Sequence, residues 1–324
     1  MVVIHHYGGK IFPFHLSENI FHSGNLAVSY FFVLSGFVLY VAHMNKPINY
    51  WEYLKRRFAR ISPLYYVALF LTIGVIYFSE GFAPNINMQI FSSVLMIQAY
   101  LPEYVLTLNS PGWSISVEML FYLSFPLLLM LQKRNLRVFI GLCITLFLLS
   151  QYLHLHSFEK RAQLPDSIIY PLFFNPLIHL SQFMIGMVGG WWYSRMQDKV
   201  SVKWYVSLFW LVVMILLIAL RPETISYHVG LIAPVFAMLI IAIARGHSKA
   251  LNWRGFIFLG EISYGVYILQ YPVFKWLQMA DARYLHLQPD LFFYFATLLL
   301  ILIASLMHLA IERPIHSLVH GRKS

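Results

Sequence analysis

FFVLSGFVLYVAHMNKPINYWEYLKRRFARISPLYY, residues 31 to 66, is the stretch on which the rest of the reading turns. An apolar run with a small-residue notch, Ser35-Gly36, enters a basic loop, Lys55-Arg56-Arg57-Phe58-Ala59-Arg60, and a second apolar run marked by Pro63 leaves it. Charge is costly in hydrocarbon, so the loop lies at a membrane face and two hydrophobic helices converge on it. Arg57 and Arg60, three apart, project together on a helix, and the guanidinium fork offers several donors to a phosphate. Such a corner suits a ligand with a phosphate end outside the bilayer and a reactive end inside it. The plainer reading makes Phe31 and Phe32 membrane packing, Ser35-Gly36 a helix-contact notch, and the arginines anchors. For Arg56 the plainer reading is preferred.

Composition agrees with a membrane chain. Hydrophobic residues are 59% and charged residues 11%, against about 25% charged in a soluble domain. Apolar stretches of spanning length recur along the chain. Ten spans are expected, near 1–9, 26–44, 61–79, 113–131, 138–154, 168–193, 204–220, 229–244, 256–279 and 290–311, in one all-α polytopic bundle and a single domain, 1–324. On that reading seventeen of the 23 Lys and Arg residues fall in alternate joints, from Lys46 to Lys323. The opposite joints hold only Lys10, Lys160, Arg161, Arg221 and Arg283, with Lys275 inside a span. That asymmetry puts both termini in the cytoplasm. It also accounts for the net charge of +10 without a nucleic-acid partner.

The N-terminal segment, Met1-Val2-Val3-Ile4-His5-His6-Tyr7-Gly8-Gly9, reads as the last turns of a helix that Gly8-Gly9 stops. Nine residues rise only ~14 Å against a core of ~30 Å. The expectation is a truncated first span. Ionisable groups on a membrane helix point to function by default, and histidine titrates where a general base must. His6 is favoured over His5; the bland alternative is a histidine hydrogen-bonded at the outer interface. His15 and His22 belong to an outer, solvated joint. Residues 88–100 are read as a short piece that does not cross.

Glu118 stands about one and a half turns into the apolar helix that begins near Trp113. A carboxylate at that depth needs a partner, and His6 is the candidate. His179, beside Pro176, is a rival intramembrane histidine that a proline-freed carbonyl would satisfy. The single cysteine, Cys143, excludes an internal disulfide and any multi-cysteine metal site, and reads as a small buried residue. No metal site is expected.

These elements resemble the acyltransferase-3 family of integral-membrane acyltransferases. Four motifs fall in order from His6 to Pro314. The run VVIHHY is similar to a first span ending VVxxH, which places the family histidine at His6. The stretch FFVLSGF with RRFARISPLY is similar to FFxxSGF and RRxxRIxPxY. WSISVEMLFY resembles WSLSxE..FY, although Met119-Leu120 replaces a commoner polar pair. The closing LGEISYGVYILQYP and ERP resemble GxxSYxxYLxHxP and ERP, with Gln270 standing where a histidine is common. The family's Arg or Lys further back on the first span would precede Met1.

The resemblance implies transfer of an acyl group, often acetyl, from cytoplasmic acyl-CoA to a hydroxyl of an envelope or exported carbohydrate, lipid-linked glycans included. It implies acyl-CoA, acetyl-CoA foremost, as donor substrate, no permanently bound cofactor, and the bacterial cytoplasmic (inner) membrane. Arg57 and Arg60 would hold the CoA phosphates, with Ser35 and Gly36 beside the thioester path. His6 would take the acceptor proton, oriented by Glu118, and Trp113, Tyr122 and Gln270 would contact substrate. An acyl-histidine relay is disfavoured because no base is assigned to its second step. The main rival is a carrier or flippase for a lipid-linked sugar, which should show internal repeats or paired broken helices; neither is found. A structural subunit would not explain His6 and Glu118 together, and no GxSxG elbow supplies a serine nucleophile.

Overall fold

Long apolar runs leave the backbone one economical way to satisfy its N–H and C=O groups in hydrocarbon, which is to bond them within each segment as helix. The computed structural model describes residues 1–17, 23–79, 81–196, 203–222, 224–246 and 251–320, and no strand occurs among them. His22, Lys199, Lys249, Arg322 and Lys323 lie outside the described residues. The long helices are α1 (Asn25–His43), α2 (Tyr50–Ser79), α4 (Trp113–Arg134), α5 (Leu136–Glu159), α7 (Pro176–Arg195), α8 (Trp204–Ala219), α9 (Ala233–Arg245), α10 (Arg254–Ala280) and α11 (Pro289–Met307). Shorter ones are α3 (Ile86–Val94), α6 (Asp166–Phe174) and α12 (Arg313–His320). The architecture is an all-α membrane bundle.

Among the described residues six stretches are long and apolar enough to cross a membrane: Leu26–His43, Tyr50–Ser79, Ser110–Arg134, Leu136–Glu159, Asp166–Arg195 and Pro289–Leu318. The other expected spans differ in kind. Helices α8 and α9 are apolar but only 16 and 13 residues long. Helix α10 has 27 residues and carries Arg254, Glu261 and Lys275 along its length. The N-terminal piece makes only a five-residue π-helical turn, Ile4–Gly8. Residues 88–100 do not form a spanning helix: α3 has nine residues, and a short 3-10 turn, Gln98–Tyr100, follows it.

Water release gives little drive between helices in lipid, so close packing must supply the contact energy. The tightest crossing joins α1 to α7. A Cβ added at Gly36 would lie 2.0 Å from the Phe183 carbonyl oxygen, and one at Gly186 would lie 2.0 Å from the Val33 oxygen. Only glycine lets these backbones meet. Around the crossing, Phe121 stacks on Phe183 at 4.6 Å between ring centroids.

Prolines free carbonyls, and side chains claim them. Pro272 in α10 removes the N–H that would bond the Ile268 carbonyl, and Asn109 Nδ2 donates to it at 3.0 Å. Pro176 opens the α6–α7 joint, where the Asn175 side chain caps α7 through the Leu177 N–H at 3.0 Å. The carbonyls left there meet His154 Nδ1 at 3.4 Å (Leu172) and His179 Nε2 at 2.8 Å (Phe173). Arg245, at the end of α9, donates to the Tyr193 and Met196 carbonyls at 2.6 and 2.5 Å, closing the C-terminus of α7. Cys143 is buried, with Sγ 3.9 Å from the Ser181 oxygen.

Candidate active site

Helix α2 starts with its polar turns and becomes apolar after Pro63, so its arginines emerge at one end of the bundle. There a cavity of about 1040 Å³ opens between α1, α2, α4, α10 and the C-terminal segment. Arg56, Arg57, Arg60 and Arg313 line its cationic part, and Ser35, Glu118, Tyr122, Glu261, His308 and Glu312 face it from the other elements. Arg56 is engaged elsewhere, with Nε 3.0 Å from Glu52 Oε1. Arg57 is half-buried, its guanidinium carbon 5.7 Å from the Tyr53 ring centroid. Its Nε is buried and finds no hydrogen-bond acceptor among the described residues. A buried donor in that state costs free energy that an anionic ligand would recover.

Glu118 closes the inner wall. Tyr122 Oη donates to Glu118 Oε2 at 3.4 Å, one turn away on α4, and Arg60 is the cation whose charge acts on the carboxylate. Beyond Glu118 lies a smaller, mostly apolar cavity of about 320 Å³. Phe31, Glu118, Ser263 and Tyr264 border both spaces. Tyr264 Oη donates to the Ile61 carbonyl at 2.7 Å and Tyr267 Oη to the Pro111 carbonyl at 3.0 Å, which ties α10 to α2 and to the entry of α4. These ties hold the walls of the cavity in place.

Ser35, Arg57, Arg60, Glu118 and Tyr122 are thus brought to one cavity. Four other expected residues stand apart. Gly36 lies in the α1–α7 crossing, because its missing Cβ is what that crossing needs. Trp113 is buried at the start of α4, with Phe174 and His179 each 5.1 Å away and His228 at 5.5 Å between ring centroids. Gln270 is fully buried, and its Nε2 donates to the Tyr267 carbonyl at 2.8 Å. His6 is exposed and lines neither cavity; its ring meets His5 at 5.0 Å.

The expected His6–Glu118 pair is not formed. Tyr7 stacks on Phe274 at 4.0 Å, which pins the turn high on α10, and Met1, Val2 and Val3 are the N-terminal residues beside Glu118 in the smaller cavity. From Val3 to His6 the chain rises ~5 Å at ~1.5 Å per residue, enough to carry the histidine past the carboxylate.

One cluster was missed by sequence reasoning. The π-helical turn His308–Glu312 follows α11, and such turns recur at functional sites. His308 Nδ1 is 2.7 Å from Glu312 Oε2, and Nε2 is 3.5 Å from Glu261 Oε2. The i, i+4 spacing of His308 and Glu312 was the available signal. Among the described residues no group of His, Cys, Asp and Glu has the makings of a metal site.

The profile of the acyltransferase-3 family, described as an acyltransferase domain, matches residues 1–310. The chain belongs to that family. It is similar to the acyltransferase MdmB of Streptomyces mycarofaciens, 29% identical, over 78% of this chain and 69% of that protein. The O-acetyltransferase OatA of Staphylococcus aureus (strain NCTC 8325 / PS 47) is 25% identical, over 94% of this chain and 55% of its own length. The putative peptidoglycan O-acetyltransferase YrhL of Bacillus subtilis (strain 168) is 23% identical, over 82% of this chain and 46% of its own length. The chain therefore corresponds to about half of these last two proteins. No solved structure matches it. This acyltransferase-3 protein is an O-acyltransferase built in a membrane bundle.

Proposed function

We propose that this protein moves an acyl group, acetyl first, from cytoplasmic acyl-CoA to a hydroxyl of an envelope or exported carbohydrate. The observation that carries the reading is the large cavity that Arg57 and Arg60 line together with Glu118 and Tyr122. The arginines, together with Arg313, suit the phosphates of CoA, and Arg57 Nε awaits an acceptor. Its volume of about 1040 Å³ is at the upper end of ordinary ligand sites. The smaller cavity beyond Glu118 offers the acyl end an apolar lodging. The cation-rich joints point this face to the cytoplasm, in the cytoplasmic membrane of a bacterium, with both termini inside. Similarity to proteins named O-acetyltransferase, one of them a putative peptidoglycan O-acetyltransferase, supports a sugar hydroxyl as acceptor.

His6 remains the acceptor-side base in this proposal. Its ring is exposed, and it belongs to the segment whose first residues border the smaller cavity. The test is transfer of labelled acetyl from acetyl-CoA into envelope carbohydrate by membranes carrying the protein. Label that depends on the protein and falls in the His6→Ala variant supports donor, acceptor and base. Protein-dependent label that His6→Ala leaves unchanged removes the base alone, and no protein-dependent label from any acyl-CoA removes the donor.

A further inference from the structure

The large cavity contains a histidine held between two carboxylates that the transfer reaction, as described so far, does not use. Helix α11 ends in a π-helical turn that swings His308 toward the cavity. Its side chain is 12% exposed, and that of Glu312 is 14%. Nδ1 meets Glu312 Oε2 at 2.7 Å, and Nε2 faces Glu261 Oε2 at 3.5 Å. The two partners are unequal. Glu312 is enclosed, whereas the Glu261 side chain is 47% exposed and can swing aside. Phe258 sets its ring edge-on at 6.3 Å, leaving Nε2 little surface while Glu261 stands over it.

The Glu312 oxygen on Nδ1 fixes the ring's orientation and turns Nε2 toward the exposed Glu261 and the cavity. A ring nitrogen held that way can carry a proton to a group bound in the cavity. The histidines packed around Trp113 offer a contrast. His179 is bonded at both nitrogens, by the Phe173 carbonyl and by Gln182 Nε2 at 2.9 Å, and it lines neither cavity.

We infer that His308 is the general acid of acyl transfer, delivering a proton from Nε2 to the departing CoA sulfur, with Glu312 as its positioning residue and Glu261 as a displaceable cover. The inference rests on acyl-CoA occupying this cavity. In the step, the bond from acceptor oxygen to acyl carbon forms and the carbon–sulfur bond breaks. The sulfur leaves with its electron pair and takes the His308 proton. The acceptor hydroxyl's proton passes to the acceptor-side base, and His308 is reprotonated by water at the cavity mouth. The charged and titratable groups that share the cavity with His308 are Glu312, Glu261 and Tyr264, Arg56, Arg57 and Arg60, Arg313 and His316, and Glu118 with Tyr122.

The experiment uses the full chain in detergent or nanodiscs, with acetyl-CoA as probe and two readouts: CoA affinity and the rate of CoA release over a range of pH. His308→Ala is expected to lower kcat on the order of 10²-fold while CoA affinity stays within about 3-fold. The alkaline fall of the wild-type rate should vanish with the side chain, and added imidazole should restore part of the activity. Glu312→Gln should lower kcat by less and displace the same limb. His308→Asn, which keeps a polar group of similar reach, guards against loss of folding; it should be as slow as the alanine variant. A His308→Ala protein as fast as wild type, or one slow only because it no longer binds CoA, overturns the inference. A wild type that neither binds CoA nor releases it overturns the donor reading, and His308 with it. Wild-type turnover with an intact alkaline limb in His308→Ala overturns His308 alone.

Discussion

Two polar regions of this bundle both contain histidine and behave oppositely. One is the knot around Trp113, where His154 and His228 pack against Phe173 and Phe174, and His179 meets the His228 ring edge-on. The other is the large cavity, where His308, Glu118 and the α2 arginines face open volume. In the knot, prolines and helix ends have released carbonyls, and the histidines consume them. In the cavity, donors such as Arg57 Nε are left over. A histidine deep in a membrane protein is therefore no signal by itself. What matters is whether it lines open volume, as His308 does and His154, His179 and His228 do not.

The comparison can be broken most forcefully at the arginines. Arg57→Ala with Arg60→Ala should reduce kcat/KM for acetyl-CoA by roughly 10²- to 10⁴-fold, since each removes a charge-assisted contact worth about 1.5–3 kcal/mol. The protein should still accumulate in membranes, because among the described residues neither arginine makes a hydrogen bond or ion pair that joins two helices. Normal turnover in that double variant would dissolve the distinction between the regions.

The knot should respond in the other direction. Trp113→Ala is expected to destabilise the bundle by about 3–5 kcal/mol, read as a lower unfolding temperature in detergent. Turnover per folded molecule should change far less than it does in the arginine variants. If Trp113→Ala folds normally and loses turnover, the knot is a substrate surface after all.

Gly36 offers a sharper and smaller test. Gly36→Ala places a Cβ against the Phe183 carbonyl, and overpacking of that kind costs about 1–3 kcal/mol. Yield should fall while CoA affinity of the folded fraction holds. A change in affinity with unaltered stability would return Gly36 to the donor site. Gln270→Leu should matter least, within about 1 kcal/mol either way: it removes one donor bond to Tyr267 and also a buried oxygen that has no partner among the described residues. Unfolding temperature and acetyl transfer measured together would check this.

Much of this was legible in the chain. The apolar runs, the basic corner and the position of Glu118 are local facts, written in consecutive residues. Ser35, Arg57 and Arg60 could be assigned to one end of two helices because a short loop joins them. Tyr122 follows Glu118 by one turn, so their contact was implicit. Gly36 was ambiguous for a physical reason: a small residue serves equally to admit a ligand or a neighbouring backbone. His308 escaped notice because its partners come from two places, Glu312 one turn on and Glu261 on a different helix.

The sequence by itself determined that this is a helical membrane protein, that a cluster of cations stands beside two apolar runs, and that its motifs belong to one acyltransferase family. Those properties follow from composition, period and short-range order, which survive without knowing any neighbour. Only the tertiary structure decided which polar groups meet. It moved His6 away from Glu118, put Gly36 and Trp113 into packing, and assembled Arg57, Glu118 and His308 around one cavity. In lipid every helix satisfies its own backbone. The choice of partners is then left to side-chain packing between segments far apart in the chain, and no local pattern records it.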